Sequence, residues 1–296
     1  MLERPLCSAA LIAAVALGLA LPAAAQPAPA QPAAQAFKVG ALELTALKDA
    51  EFVAPNDGKT FGVDAGPAAV EKVLAEAGAP TTGIRLSVGG LLVRTGGRLM
   101  LIDTGLGPAA HGVLMQSLAK AGVSPDQVTD VLITHSHFDH VGGLVTADGK
   151  PAFANAKVRM TVKEWAFLQS QAGSKALVAA ISGQVETFQP GAVVAPGITA
   201  VPVDGHTPGH TAYEIASGDA RLLDIGDSAH SSIVSLARPD WVMGYDGDAN
   251  LGAASRRALL TRLSKSHETV YAPHFPFPSV GTVNAAGAGF VWKPGL

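Results

Sequence analysis

Three histidines and one aspartate lie within a six-residue span, His135-Ser136-His137-Phe138-Asp139-His140, and could hold metal ions. Imidazole and carboxylate groups are costly to bury alone, and a bound metal is a common partner for such a cluster. Alternate residues of an extended chain point to the same side, so His135 and His137 can face one ion. Asp139 and His140 lie on the turn that follows. The spacing predicts a two-metal hydrolytic site in preference to a single structural zinc.

Further candidate ligands follow short apolar segments that read as strands. They are His206 and His210 in the turn-rich stretch 205–211, Asp227 at the end of 222–227, and His274 at the end of 271–274. A polar residue directly after a strand is held by rigid structure and can reach a ligand. Taken singly, each could be a surface, core or turn residue. Their combination with the 135–140 segment favours metal binding.

With these motifs the chain resembles the hydrolases of the metallo-β-lactamase fold, from about Phe37 to the C-terminus. The shared motifs are, in chain order, H-x-H-x-D-H (135–140), T-P-G-H-T (207–211), G-D (226–227) and a late histidine, His274. A closer resemblance, to methyl parathion hydrolase and related lactonases, rests on G-D-S-A-H (226–230), P-H-F-P-F-P (273–278) and G-A-G-F-V-W-K-P (287–294). The sequence pattern alone indicates an α/β protein. The resemblance implies the architecture, a four-layer αββα sandwich.

The resemblance also implies a set of ligands for two divalent ions. They are His135, His137 and His210 for one ion, Asp139, His140 and His274 for the other, and Asp227 as a bridge together with a hydroxide. The position after Pro-Gly selects His210 as the ligand and leaves His206 a supporting or structural role. Two cations roughly 3.5–4 Å apart need such an anionic bridge. Zinc is favoured, and mixed nitrogen and oxygen ligands also suit iron, manganese or cobalt.

Asp139, Asp227 and His230 are the candidate catalytic residues. Either carboxylate could carry a proton to the leaving group. His230 lies three residues after Asp227, where related lactonases have a tyrosine that binds the substrate carbonyl. A histidine there could polarise a carbonyl or move a proton, and a solvent-facing loop histidine is the equally open alternative. Asp103, in Leu-Ile-Asp-Thr-Gly, is predicted to support a ligand or the backbone from outside the metal shell.

The expected reaction is hydrolysis of lactones or aryl esters, with side activity on organophosphate triesters. A β-lactam hydrolase and a glyoxalase-II-like thioesterase are the alternatives. The β-lactamase branch lacks a bridging carboxylate at the position of Asp227, and the thioesterase would need a basic patch that the sequence does not show. A redox diiron protein is disfavoured because it would replace a histidine of the motif. A non-catalytic binding module is disfavoured because it would have lost metal ligands, and all seven are present.

Residues 1–25 read as a signal peptide cut after Ala25, with Arg4 before the apolar run 11–21. The single cysteine, Cys7, lies in this segment, so the mature chain would have neither disulfides nor a thiolate ligand. Residues 26–36 are predicted to be a flexible Pro/Ala-rich leader before one domain, residues 37–296. The expectation is a periplasmic or secreted enzyme with no stable membrane anchor after cleavage.

The net charge of -3 and the lack of Lys/Arg runs argue against nucleic acid as a partner and favour a small-molecule substrate. A homodimer is compatible with the resemblance. The substrate would be selected by the loops 49–65 and 228–250. Within the second loop, Asp246-Gly247-Asp248 is more often a solvent-facing turn than part of a site. Phe138, Phe275, Phe277 and Trp241 are candidate lining residues of the pocket.

Overall fold

The computed structural model describes residues 30–296. The predicted signal peptide and residues 26–29 of the predicted leader lie outside the described residues. Strand β1 (Ala34–Val39) begins inside the segment predicted to be a leader, because it pairs with the following strand. The backbone N–H of Ala33 also donates to Oγ of Ser117, 3.0 Å away. Within residues 30–296, no helix combines the length and the apolar character needed to cross a membrane.

Two sheets form the centre of the described part of the chain. The first contains, in spatial order, β1, β2 (Leu42–Pro55), β3 (Gly83–Thr95), β4 (Arg98–Ile102), β5 (Asp130–Leu132), β6 (Lys157–Thr161) and β7 (Val185–Phe188). The second contains β8 (Val193–Ala195), β9 (Ile198–Pro202), β10 (Thr211–Ser217), β11 (Ala220–Asp224), β12 (Thr269–Tyr271), β13 (Val280–Ala286) and β14 (Gly289–Pro294). Strands β4 to β7 are mutually parallel, and so are β11 and β12.

Helices pack against both sheets. They are α1 (Pro67–Glu76), α2 (Leu114–Lys120), α3 (Phe138–Val141), α4 (Val162–Ser170), α5 (Lys175–Ile181), α6 (Val234–Ala237) and α7 (Ala249–Ser266). Helix α4 begins where Oγ1 of Thr161 accepts the N–H of Glu164 at 3.1 Å, and α7 begins where the Asp248 carboxylate accepts the N–H of Leu251 at 3.0 Å. These caps satisfy backbone donors that a first helical turn leaves free.

The apolar core is divided by the sheets. Leu91 of the first sheet and Tyr213 of the second belong to one buried cluster between the sheets. Leu168 of α4 and Ile181 of α5 belong to a cluster on the outer face of the first sheet. Leu260 of α7 belongs to a third cluster, on the outer face of the second sheet. The predicted four-layer αββα sandwich is therefore confirmed.

The candidate site lies beyond the C-terminal ends of several strands. Strand β5 leads into the 135–140 segment, β9 into the loop with His206 and His210, β11 into Asp227, and β12 into His274. Because β9, β11 and β12 run in the same direction within their sheet, their ends share one edge. The fold thereby brings together residues that are far apart in sequence.

Candidate metal centre

The first imidazole group consists of His135, His137 and His206. Nε2 of His206 lies 3.1 Å from Nε2 of His135 and 2.9 Å from Nδ1 of His137. His135 and His206 are buried and His137 is half-buried. Burial lowers the pKa of His135 and of His206 well below 6.5, so the neutral imidazoles present lone pairs to a common point. Such a convergence of acceptors suits a cation.

His210 does not belong to this group, which corrects the prediction that it is the ligand of its loop. Its Nδ1 donates to the carbonyl of Val203 at 3.1 Å, and its Nε2 accepts the backbone N–H of Asp227 at 2.9 Å. Burial lowers its pKa to about 4. With both ring nitrogens bonded to the backbone, His210 has no lone pair left for an ion. The residue of this loop that faces the cluster is His206.

The second group consists of Asp139, His140 and His274. Nε2 of His140 lies 3.7 Å from the Asp139 carboxylate, and Nε2 of His274 lies 3.5 Å from it. Asp139 keeps 25% of its side chain exposed, whereas both histidines are buried. The group therefore combines one accessible carboxylate with two imidazoles held by the core.

The Asp227 carboxylate lies between the two groups. Its Oδ2 is 3.7 Å from His135 Nε2 and 3.4 Å from His206 Nε2. Its Oδ1 is 3.1 Å from His140 Nε2 and 3.0 Å from His274 Nε2. Burial opposes its ionisation, but the surrounding imidazoles outweigh that effect and hold the pKa of Asp227 well below 3.8. Oδ2 also lies 3.1 Å from His274 Nε2. An ionised carboxylate between the two imidazole groups has the position of a bridging ligand.

Hydrogen bonds from outside the cluster orient the second group. Nδ1 of His140 lies 2.7 Å from the Asp103 carboxylate, which also accepts the N–H and the hydroxyl of Thr134 at 2.9 and 2.6 Å. Nδ1 of His274 donates to the carbonyl of Ser87 at 2.7 Å. Partners on Nδ1 leave Nε2 free to accept or to bind a metal. The expected supporting role of Asp103 is thus confirmed by its contacts.

Glu164, which the sequence patterns did not single out, joins two of the loops. Its carboxylate accepts the N–H and the hydroxyl of Ser136, each at 2.6 Å, the hydroxyl of Thr207 at 2.7 Å and the N–H of Gly209 at 3.1 Å. Ser136 lies between His135 and His137, and Thr207 follows His206. The buried Glu164 therefore fixes the two loops of the first group relative to each other.

Buried polar atoms without a partner indicate that the cluster fits metal ions. Within the described residues, His140 Nε2, Asp227 Oδ1 and both ring nitrogens of His230 are buried and form no hydrogen bond of acceptable geometry, although His140 Nε2 and Asp227 Oδ1 lie 3.1 Å apart. Such atoms are costly unless something binds them. The donor set of imidazole nitrogens and carboxylate oxygens is one that zinc and related divalent ions use.

A cavity of about 440 Å³ opens above the cluster. Its lining residues are Phe52, Leu86, His137, Phe138, Asp139, His206, Asp227, His230, Gly244, Tyr245 and His274. Of the predicted lining residues only Phe138 is among them. Phe275, Phe277 and Trp241 pack into apolar clusters instead. The lining contains neither lysine nor arginine, so a substrate held by charge on a basic patch does not fit it.

His230 belongs to the wall of the cavity and does not face bulk solvent, being 1% exposed. Its Nε2 lies 3.4 Å from Asp227 Oδ2, and its ring centroid lies 5.2 Å from that of Tyr245, with the two ring planes tilted by 50°. The alternative that His230 is a loop histidine facing solvent is therefore excluded. His206, Asp227 and His230 also form a third cluster of donor atoms within 4.8 Å of one another.

Residues 90–274 match the family model of the metallo-beta-lactamase superfamily. The chain belongs to this superfamily. A Mus musculus relative, metallo-beta-lactamase domain-containing protein 1, is 53% identical over 45 residues, which are 15% of this chain and only 17% of the relative. The predicted family is thereby confirmed, and the closer resemblance to methyl parathion hydrolase stays a prediction.

Two solved structures align with most of the chain. AidC, described as a dizinc quorum-quenching lactonase in complex with a product, has a TM-score of 0.85 at 27% identity, covering 90% of this chain and 98% of AidC. AbOPH, described as a hydrolase in the beta lactamase superfamily, has a TM-score of 0.82 at 28% identity, with the same coverage of 90% and 98%. The architecture around the cluster is therefore that of metallo-β-lactamase-fold hydrolases.

Proposed function

We propose that the protein is a dinuclear metal-dependent hydrolase that opens lactones or cleaves aryl esters. The observation that carries this proposal is the Asp227 carboxylate, which lies between the two imidazole groups, with Oδ2 3.4 Å from His206 Nε2 and Oδ1 3.1 Å from His140 Nε2. The similarity to the dizinc lactonase AidC supports lactones as the substrate class. The mixed apolar and polar lining of the cavity suits a neutral ester beside an apolar substituent.

His135, His137 and His206 would hold the first ion, Asp139, His140 and His274 would hold the second, and Asp227 would contact both. Two divalent ions bound there would lower the pKa of a shared water and polarise the oxygen that gains negative charge. Zinc remains the favoured metal, with iron, manganese or cobalt as alternatives that the same donor atoms accept.

The residues of the chain handle the proton and the substrate oxygen. Hydrolysis adds water across the acyl C–O bond, so the departing alkoxide must take up one proton. Asp139 is part-exposed at the cavity and can carry it. His230 has two ring nitrogens without partners among the described residues and can donate to the carbonyl oxygen or to the alkoxide. Asp227 is surrounded by imidazoles and is better suited to bridging.

Phosphotriester hydrolysis is proposed as a side activity, consistent with the predicted likeness to methyl parathion hydrolase. A neutral triester would fit a cavity without basic lining residues. The same lining argues against a glyoxalase-II-like thioesterase, whose substrate carries carboxylates. The bridging position of Asp227 argues against a β-lactam hydrolase.

One substrate panel tests the proposal. The mature, metal-loaded protein is assayed on an aryl lactone, an acyl-homoserine lactone, an aryl ester, a phosphotriester, a β-lactam and a thioester. We expect lactones to exceed the phosphotriester and the β-lactam in kcat/KM by a hundredfold, about 2.7 kcal/mol in barrier. The Asp227→Ala protein, prepared identically, controls for contaminating esterases. A β-lactam or thioester that leads the panel would refute the proposed substrate class.

We also propose that the enzyme is exported to the periplasm or beyond after cleavage behind Ala25. The small residues Ala23 and Ala25 precede the predicted cut, as signal peptidases require. The mass of the protein recovered from each cell fraction tests this. Recovery of the protein from the cytosol with residues 1–25 still attached would contradict the proposed export.

A further inference from the structure

A buried ion pair lies directly behind His206. The Asp246 and Arg256 side chains are each 1% exposed, and Nη1 of Arg256 lies 3.0 Å from Oδ2 of Asp246. The other carboxylate oxygen, Oδ1, lies 3.1 Å from Nδ1 of His206. Arg256 is on α7, and Asp246 is on the loop that precedes this helix. Arg256 of α7, Asp246 and His206 are therefore joined by consecutive side-chain contacts.

The contact between Asp246 and His206 sets the tautomer of the His206 ring. A carboxylate accepts, so Nδ1 of His206 must carry the proton that lies between it and Asp246. Nε2 is then the unprotonated nitrogen, and it is the one that faces His135 and His137. Carboxylates that accept from the outer nitrogen of a metal-bound imidazole fix its orientation and make it a better ligand.

Two glycines make room for the carboxylate. A Cβ on Gly252 would lie 2.7 Å from Oδ2 of Asp246, and a Cβ on Gly205 would lie 2.3 Å from the backbone nitrogen of Gly252. Only without these side chains can α7 approach the His206 loop closely enough to bury Asp246 between them. The backbone N–H of Gly247 also donates to the carbonyl of His206 at 3.0 Å.

The same arginine anchors the wall of the cavity. Its Nε donates to the carbonyl of Pro239 at 2.8 Å, and its Nη2 donates to that of Trp241 at 3.1 Å. Tyr245, the neighbour of Asp246, lines the cavity and packs against His230. One guanidinium thus holds both ends of the loop segment 239–246.

We propose that Asp246 and Arg256 are positioning residues that orient His206 for the first metal ion and hold the adjacent cavity wall. This rests on the metal pair of the proposed function but not on its substrate. The pair acts through His206, so it should affect the ion next to His206 far more than the ion next to Asp139 and His274.

Metal affinity separates this role from general stability. Each ion's affinity is measured by chelator competition with zinc, together with the melting temperature of the metal-free chain. The near-isosteric Asp246→Asn removes the charge that faces Nδ1 of His206, and we expect one of the two zinc ions to bind about 10- to 100-fold more weakly. Arg256→Lys keeps the positive charge but loses the several N–H donors of the guanidinium. We expect a smaller decrease in zinc affinity at the same ion.

Asp240 and Arg257 provide a matched control. They join the same loop and the same helix by an exposed ion pair that does not reach His206. Asp240→Asn should leave both zinc affinities and KM for an aryl lactone unchanged.

The inference is overturned if Asp246→Asn binds both ions as tightly as the wild type. It is also overturned if both ions weaken equally while the metal-free chain melts at a lower temperature, since that would be general destabilisation. A wild-type chain that binds no zinc would overturn the inference and the proposed function together. A wild type that binds two ions but hydrolyses no ester would overturn the proposed function alone.

Discussion

Nε2 of His210 accepts the backbone N–H of Asp227 at 2.9 Å. This contact joins the loop after β9 to the turn after β11 and fixes the start of the segment that carries the Asp227 carboxylate. His206, four residues earlier on the same loop, faces the imidazole cluster. The two histidines of one motif therefore have different roles. His210 binds backbone groups, and His206 faces the candidate metal site.

Replacing these two histidines should have different effects. His206→Ala removes a nitrogen of the first group, and metal content should fall from two ions toward one. His210→Ala should keep both ions but lower the free energy of unfolding by about 1–3 kcal/mol, because two buried backbone groups lose their partner. Elemental analysis and urea unfolding of the two variants measure this. Loss of an ion in His210→Ala with retention in His206→Ala would restore the assignment made from sequence.

Asp227→Ala should reduce the metal content toward one ion and abolish turnover, because the carboxylate between the two imidazole groups is removed. Asp227→Asn keeps the shape but not the charge and should retain an intermediate content. Metal-to-protein ratios after dialysis against a weak chelator provide the measurement. Two ions held tightly by the alanine variant would rule out the bridge.

His230→Ala should lower kcat by tenfold or more with a smaller rise in KM, because a contact to the reacting oxygen strengthens in the transition state. Steady-state kinetics on an aryl lactone separate the two constants. The exposed His267, at the end of α7, provides the control: His267→Ala should leave both constants unchanged. A wild-type kcat in His230→Ala would remove His230 from the mechanism.

Glu164→Gln should destabilise the fold by about 2–3 kcal/mol and lower activity, since an amide nitrogen would face hydroxyl or N–H donors that the carboxylate accepts. Burial raises the pKa of Glu164, and its four hydrogen bonds oppose that rise. Chemical unfolding combined with the lactone assay checks the expectation. Lys163→Gln, on the exposed side of the same helix turn, should change neither quantity.

Asp224→Asn should stabilise the metal-free chain increasingly as the pH rises. Burial raises the pKa of Asp224 well above 3.8, and the nearby Asp103 carboxylate adds to the rise. The folded state therefore keeps a proton that the unfolded state releases above about pH 4, so this group costs the wild type up to about 1.4 kcal/mol per pH unit until the folded pKa is reached. An asparagine does not titrate.

Urea unfolding of the metal-free wild type and Asp224→Asn between pH 5 and 7 measures that difference. Asp219→Asn, which replaces an exposed carboxylate on the turn before β11, is the matched control for exchanging an aspartate for an asparagine. A difference between Asp224→Asn and the wild type that stays constant with pH would mean that Asp224 is ionised in the folded chain.

The α/β class, most strands and the 135–140 segment could be predicted from sequence because they depend on short-range features. Alternating or continuous apolar residues specify strands, and three imidazoles beside a carboxylate specify ligand chemistry wherever the chain folds. Local pattern failed where it was ambiguous. The stretch from Val162 to Ile181 forms two helices, α4 and α5, because Gln171 adopts an extended conformation and Gly173 disfavours continuation.

The sequence by itself determined which residue types could bind metal and that they follow strands. Only the tertiary structure decided between His206 and His210, and only it revealed Glu164. It also showed that Asp246, expected in a solvent-facing turn, is buried against His206. Those decisions depend on contacts such as His206 with Asp246, 40 positions away, or His274 with Ser87, 187 positions away. The ability of a residue to bind a metal depends on its side-chain type, so it can be predicted from a short stretch of sequence. The direction in which that side chain points is set by the buried partners that the packing of two sheets brings to it.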